Sequence, residues 1–316
     1  MATTTRNQAA DGDAAPRPPY ADLHSGRAVG LYGPDEQLGA LNLLTPERVA
    51  AASSLVRTGQ VFSLNASLYY PSPHPASAIS RRRAPTHVVH RSERARDDLW
   101  DGLYTQYSSQ WDGFLHVRDV EHGCFYNGST DESKGIEAWA ERGIAGRGVL
   151  LDVGRWLAEQ GRPLDWRTDA VITVENLRGC TADQRVAIDN GTILLLRTGW
   201  ETGFRASSYA ERAALATPDF RCPGIDPSPE MLEYLWDGGV AAVAADNFTL
   251  EPFPFRDPWL HSALLNRLGI PVGEFWHLDA LADACRAAGR YEFLLTSAPL
   301  NGPGSAGSPA NALAIL

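Results

Sequence analysis

Gln106-Tyr107-Ser108-Ser109-Gln110-Trp111-Asp112-Gly113-Phe114-Leu115-His116 is the stretch on which the reading of this chain turns. It packs an acid, an imidazole, two carboxamides and two serine hydroxyls into eleven residues, with the punctuating glycines Gly102 and Gly113 close by. A purely structural strand has little use for so many polar groups. A metal or a reacting carbonyl needs several donors converging at once. Asp112 and His116 stand four apart, so one ligand can meet both where the backbone turns. The plainer alternative is a capping aspartate beside a surface histidine. Trp111, Phe114 and Leu115 predict burial, and a buried acid or imidazole needs partners.

On the N-terminal side, Thr45-Pro46 opens a helix, with Thr45 as N-cap and Pro46 at the first helical position, ending before Gly59. Val61 to Ala66 alternates apolar and polar and predicts a strand. Residues 71–96, rich in Pro, Ser and Arg, read as a long excursion or lid. On the C-terminal side, strands are expected at Gly146–Val153, Val171–Val174, Thr192–Trp200, Val240–Asn247 and Tyr291–Thr296. Thr192–Trp200, apolar on both faces, is the central one. A helix is expected to begin or be capped at Thr181–Val186, and helices are expected to span Pro229–Trp236, Trp259–Leu268 and Leu278–Ala288. Strands and helices alternate without a strict βαβ rhythm. An α/β fold follows, with a mixed sheet or barrel core and surrounding helices. Residues 1–20 read as a disordered tail and 21–316 as one catalytic domain.

Composition narrows the partners. The 316 residues are 44% hydrophobic and 21% charged, with 28 basic and 38 acidic residues and a net charge of -10. Such an acidic balance argues against nucleic acid. Arg81-Arg82-Arg83 reads as a solvated face or an interface. No apolar run reaches membrane-spanning length, so no membrane partner is expected. Cys124, Cys180, Cys222 and Cys285 form no C-x-x-C pair and read as free thiols in a reducing cytoplasm. No G-x-G-x-x-G, P-loop or G-x-S-x-G pattern supports a nucleotide cradle or a serine nucleophile. The apolar end Ala312–Leu316 suggests a buried C-terminus in a subunit contact, hence a homo-oligomer.

Distant residues extend the polar run. His261 and Glu274 offer imidazole and carboxylate, common ligands for zinc or manganese, and with Asp112 they would close a shell. Their structural alternatives are a helix-surface histidine and a carboxylate placed by a helix dipole. His277, three residues beyond Glu274, is a spare candidate. Asp246, Asn247 and Glu251 follow an apolar strand; structural hydrogen bonding is the favoured reading, pocket lining the other. His87 and His90 are read as solvent or lid residues.

Together these pieces resemble the cyclase-type metal-dependent hydrolases, a family that includes kynurenine formamidase, isatin hydrolase and trans-dienelactone hydrolase. Its signature, H-x-G-T-H-x-D-x-P-x-H, laid on Gln106 to His116, matches at Asp112 and His116. Ser109 stands at the Thr, Ser108 at the Gly, Phe114 at the Pro, and Gln106 and Gln110 at two metal-binding histidines. The resemblance implies a swivelling β/β/α domain, with Asp112, His261 and Glu274 as metal ligands and His116 as general acid/base. It implies one divalent ion, zinc or manganese, with Gln106 or Gln110 able to add a carbonyl oxygen. The expected activity is hydrolysis of a cyclic amide, lactone or aryl amide, with a cyclic or aromatic small-molecule substrate. A cyclase or dehydratase, and a metal-free binding protein keeping the pocket, are the rivals.

Overall fold

The computed structural model describes residues 17–78, 80–132 and 134–316. The expectation for residues 1–16 lies outside them. A nine-stranded mixed sheet organises the fold, in the order Val61–Ser63, Ala312–Ile315, Glu292–Ser297, Ile144–Leu151, Thr192–Leu196, Val240–Ala245, Val272–Glu274, Gln110–Asp112 and Gly307–Pro309. The run from Ile144–Leu151 to Val272–Glu274 is parallel and the flanks are antiparallel. Thr192–Leu196 and Val240–Ala245 are buried throughout, as strands covered on both faces must be. Helices surround the sheet, so the α/β architecture agrees with the sequence. Among the described residues no helix is long and apolar enough to cross a membrane.

Several elements form as their local chemistry dictates. Thr45 caps Pro46–Ser53 by accepting the Arg48 N–H. Pro229–Asp237 and Asp279–Ala288 bury Leu235 and Leu281 against the core. The apolar end becomes the strand Ala312–Ile315, paired on both sides within the chain.

Other expectations are narrowed or corrected. Of the two readings of residues 181–186, the capping one holds, at a helix C-terminus: Thr173 starts Val174–Gln184 with a capping box shared with Asn176, and Arg185 is its C-cap. Residues 260–268 are helical as expected, but only Leu260–Ser262 is α-helical and Ala263–Leu268 continues as a π-helix. The expected strand at 61–66 stops at Ser63; the Leu64 carbonyl accepts the His277 N–H at 3.0 Å, outside the ladder with Ala312–Ile315. The 71–96 excursion holds a hairpin arm, Thr86–Arg91 paired antiparallel with Arg96–Asp101. There His87 stacks on Trp100 at 4.4 Å and meets Asp98 at 2.6 Å. The polar run itself contains a fully buried strand, Gln110–Asp112. A strand does have a use for these polar groups when every second one faces a site.

Candidate active site

Sheet register assembles the site. Gln110 lies opposite Glu274 and Asp112 opposite Val272, so Gln110, Asp112 and Glu274 share one face. Trp111 and Gly273 share the other. That second face is locked: Trp111 meets Trp276 edge-on at 4.7 Å and donates to Ser297 Oγ at 2.9 Å, while Trp276 Nε1 donates to Gln110 O at 2.9 Å. A side chain at position 273 would collide with Ala244 Cβ at 2.6 Å and Trp276 Nε1 at 2.7 Å, so the backbone carrying Glu274 needs glycine there. The turn Leu260–Ser262 brings in His261. Two bulky residues in the left-handed region, Leu250 (φ 55) and Phe275 (φ 57), flank Glu251 and Glu274. Such strain persists only where the surroundings enforce it, and it clusters at functional sites.

Asp112, His261 and Glu274 offer ligand atoms all within 4.8 Å of one another, and all three are buried. His261 Nε2 lies 2.9 Å from Glu274 Oε1 and 3.8 Å from Asp112 Oδ2. Neither oxygen of Asp112 has a hydrogen-bond partner among the described residues. Burial first, and the nearby Glu274 after it, push the Asp112 carboxyl above its ordinary range. A buried carboxylate in this state costs several kcal/mol unless a cation meets it. The group therefore fits a divalent ion. Gln110 Nε2 donates to Glu274 Oε2 at 2.7 Å, leaving its own buried Oε1 without a partner and available as a further oxygen donor. Gln106 is not drawn into this hydrogen-bonded group. Its Oε1 accepts from Thr105 Oγ1 at 2.8 Å and its amide lies against Gly307.

His116 is the partly exposed member, with 20% of its side chain accessible. Its Nε2 is 3.6 Å from Asp112 Oδ1, and its ring centroid is 6.4 Å from that of His261. Burial lowers its basicity and Asp112 partly restores it. A neutral imidazole at the rim is the form that accepts a proton.

Glu251 is the residue that sequence reasoning undervalued. Its Oε1 lies 2.5 Å from His261 Nδ1 and 3.3 Å from His261 N, and its Oε2 accepts the Leu260 N–H at 2.6 Å. Burial alone would lower the His261 pKa, but Glu251 and Glu274 together carry it well above the ordinary value. Such a carboxylate fixes the tautomer of a ligating histidine. No local motif signals it; only the fold joins residues 251 and 261. Asp246 is structural, accepting from Thr198 N, Thr198 Oγ1 and Gly199 N at 2.7–2.9 Å. His277 turns to Glu201 and Arg205 instead. Trp111, Phe275 and Trp276 are wholly buried in packing. Trp259 lies 6.1 Å from the His261 ring at 25°, joined by Phe255, 44% exposed and 6.0 Å away. These two rings border the site.

This mixed sheet with its clustered imidazole and carboxylates is the arrangement of a recognised protein class. The family model described as "Putative cyclase" matches residues 66–252, and the chain belongs to this cyclase family. A solved structure described as a novel cyclase is 32% identical, with a TM-score of 0.80, covering 92% of this chain and 99% of that one. The fold is also similar to isatin hydrolase A from Labrenzia aggregata, bound to benzyl benzoate, at 17% identity and TM-score 0.57 over 83% of this chain and 94% of that one. Isatin hydrolase A from Ralstonia solanacearum is 16% identical, with a TM-score of 0.58 over 85% and 97%. No curated protein matches the chain.

Proposed function

We propose that the protein is a metal-dependent hydrolase that opens a cyclic amide, a lactone or an aryl amide. One observation supports this above others: a fully buried Asp112 with neither oxygen satisfied, beside His261 Nε2 and Glu274, and with His116 at the rim. Asp112, His261 and Glu274 would hold the ion, with Gln110 Oε1 as a fourth donor. Mixed imidazole and carboxylate donors suit zinc or manganese. When bound, such an ion polarises a carbonyl and acidifies water.

The chain's own residues supply the rest. His116 Nε2 takes a proton from the attacking water and returns it to the departing nitrogen or oxygen. The C–N or C–O bond breaks, and a carboxylic acid is formed. Glu251 keeps the His261 proton on Nδ1, leaving Nε2 free to ligate. Trp259 and Phe255 offer flat apolar faces to a ring, which suits the aromatic small molecule named for the isatin hydrolases that share the fold.

The second reading, ring closure or dehydration, draws on the relative at 32% identity, which is described as a cyclase. Elemental analysis of the purified protein, with a panel of lactones, cyclic amides and aryl amides, tests both. About one ion per chain and products heavier by one water support hydrolysis. Products lighter by one water support the rival. Negligible metal together with tight binding of an unchanged ligand contradicts both.

A further inference from the structure

The apolar strand Val240–Ala245 runs into the turn Asp246-Asn247-Phe248-Thr249-Leu250, which delivers Glu251 to the site. Asn247 is fully buried in that turn. Its Oδ1 accepts the Leu250 N–H at 3.1 Å, and its Nδ2 donates to the Pro223 carbonyl at 2.6 Å. Asparagine suits this task, because its short carboxamide carries an acceptor and a donor that reach nearby backbone. Its own backbone carbonyl accepts the Phe275 N–H at 3.0 Å. One residue therefore grips both Leu250 (φ 55) and Phe275 (φ 57), which precede Glu251 and follow Glu274. None of these bonds goes to the side chain of Asp112, His261 or Glu274, so Asn247 acts on the site through other residues.

A leucine does not enter the left-handed region unaided. Here both of its backbone polar groups are held: the N–H by Asn247, and the carbonyl by the Ile225 N–H at 2.9 Å. Gly224 presses on the same stretch, since a side chain there would lie 2.2 Å from the Glu251 carbonyl carbon. The chain direction at Leu250 decides where Glu251 points. From this position its Oε1 lies 2.5 Å from His261 Nδ1, and its Oε2 accepts the Leu260 N–H at 2.6 Å. An extended Leu250 would send the next side chain elsewhere.

We propose that Asn247 is a positioning residue of the site: its carboxamide holds Leu250 in the left-handed region, aims Glu251 at His261, and so sets the affinity for the ion. For the ion, this rests on the metal-dependent reading above; the aim of Glu251 can be measured without it.

The test measures zinc and manganese affinity of the full-length protein by chelator competition, beside its melting midpoint without metal. Asn247→Ala and the milder Asn247→Ser should bind either ion about tenfold more weakly, the low end of the loss expected for groups that orient a ligating histidine. Leu250→Gly in either background should recover affinity to within about threefold of wild type, because glycine enters the left-handed region without the carboxamide. The recovery should come even though removing a buried leucine side chain lowers the midpoint further. Asp246→Asn, which weakens the neighbouring bonds to Thr198 and Gly199, should lower the midpoint and leave affinity within about twofold. Unchanged affinity in both Asn247 variants, no recovery by Leu250→Gly, or an equal loss in Asp246→Asn would each assign Asn247 a merely structural role and overturn the proposal. If wild type binds neither ion, the metal-dependent reading fails by itself, and a crystal structure of Asn247→Ala decides the positioning. Glu251 Oε1 moved beyond about 3.5 Å from His261 Nδ1 supports it; the 2.5 Å contact retained overturns it.

Discussion

Replacing Glu251 by glutamine tests how His261 is prepared for a ligand role. The glutamate accepts on both oxygens: Leu260 N on one, His261 N and Nδ1 on the other. Glutamine keeps the size but has a single acceptor. If that oxygen stays on Leu260 N, its NH2 faces His261 Nδ1. The imidazole must then accept at Nδ1 and carry its proton on Nε2, the nitrogen 2.9 Å from Glu274 Oε1 and 3.8 Å from Asp112 Oδ2. Metal binding would have to remove that proton. The loss expected for a partner of a ligating histidine is about 10- to 100-fold in metal affinity, or roughly 1.4–2.7 kcal/mol. Competition against a chromogenic chelator, with metal content measured after dialysis, reads it directly. Affinity within about twofold of wild type would refute the role given to Glu251.

Three further outcomes follow from the same geometry. His116→Ala should retain its metal and lose turnover by about 10²- to 10⁴-fold, measured as kcat on whichever panel substrate is opened; full turnover would remove His116 from the chemistry. Asp112→Asn should change stability with opposite signs: the metal-free protein gains about 1–3 kcal/mol by losing an uncompensated buried carboxylate, while stabilisation by added metal disappears. Denaturant melts with and without metal check this, and a metal-induced shift equal to that of wild type would contradict it. Gly273→Ala drives a methyl into Ala244 and Trp276 and should cost about 1–3 kcal/mol of stability in the same melts, whereas a neutral result would mean that the strand shifts freely.

Much of the framework was legible where a local rule acts alone. Thr45-Pro46 opened its helix as the capping rule requires, and the apolar runs at 192–196 and 240–245 became buried parallel strands. Periodicity failed where elements are too short to show one. Val272–Glu274 and Gly307–Pro309 have three residues each, yet they place Glu274 and Gly307 beside Gln110 and Asp112. The hairpin arm at 86–101 escaped notice because its strands pair with each other and are mostly exposed, so no apolar alternation marks them. At the site, the sequence pointed to Asp112, His116, His261 and Glu274, and the fold brings these four side chains together. The role of Glu251 was not legible. It acts through contacts with His261 and Leu260 that only the tertiary structure creates.

The central claim is that Asp112, His261 and Glu274 jointly hold a divalent cation. Anomalous scattering from a crystal grown with zinc or manganese tests it most directly. The account predicts one strong peak about 2.0–2.2 Å from Asp112, His261 Nε2 and Glu274. A crystal with no peak there, or with its only peak at the more exposed Asp119–Glu121–His122 group, would contradict it.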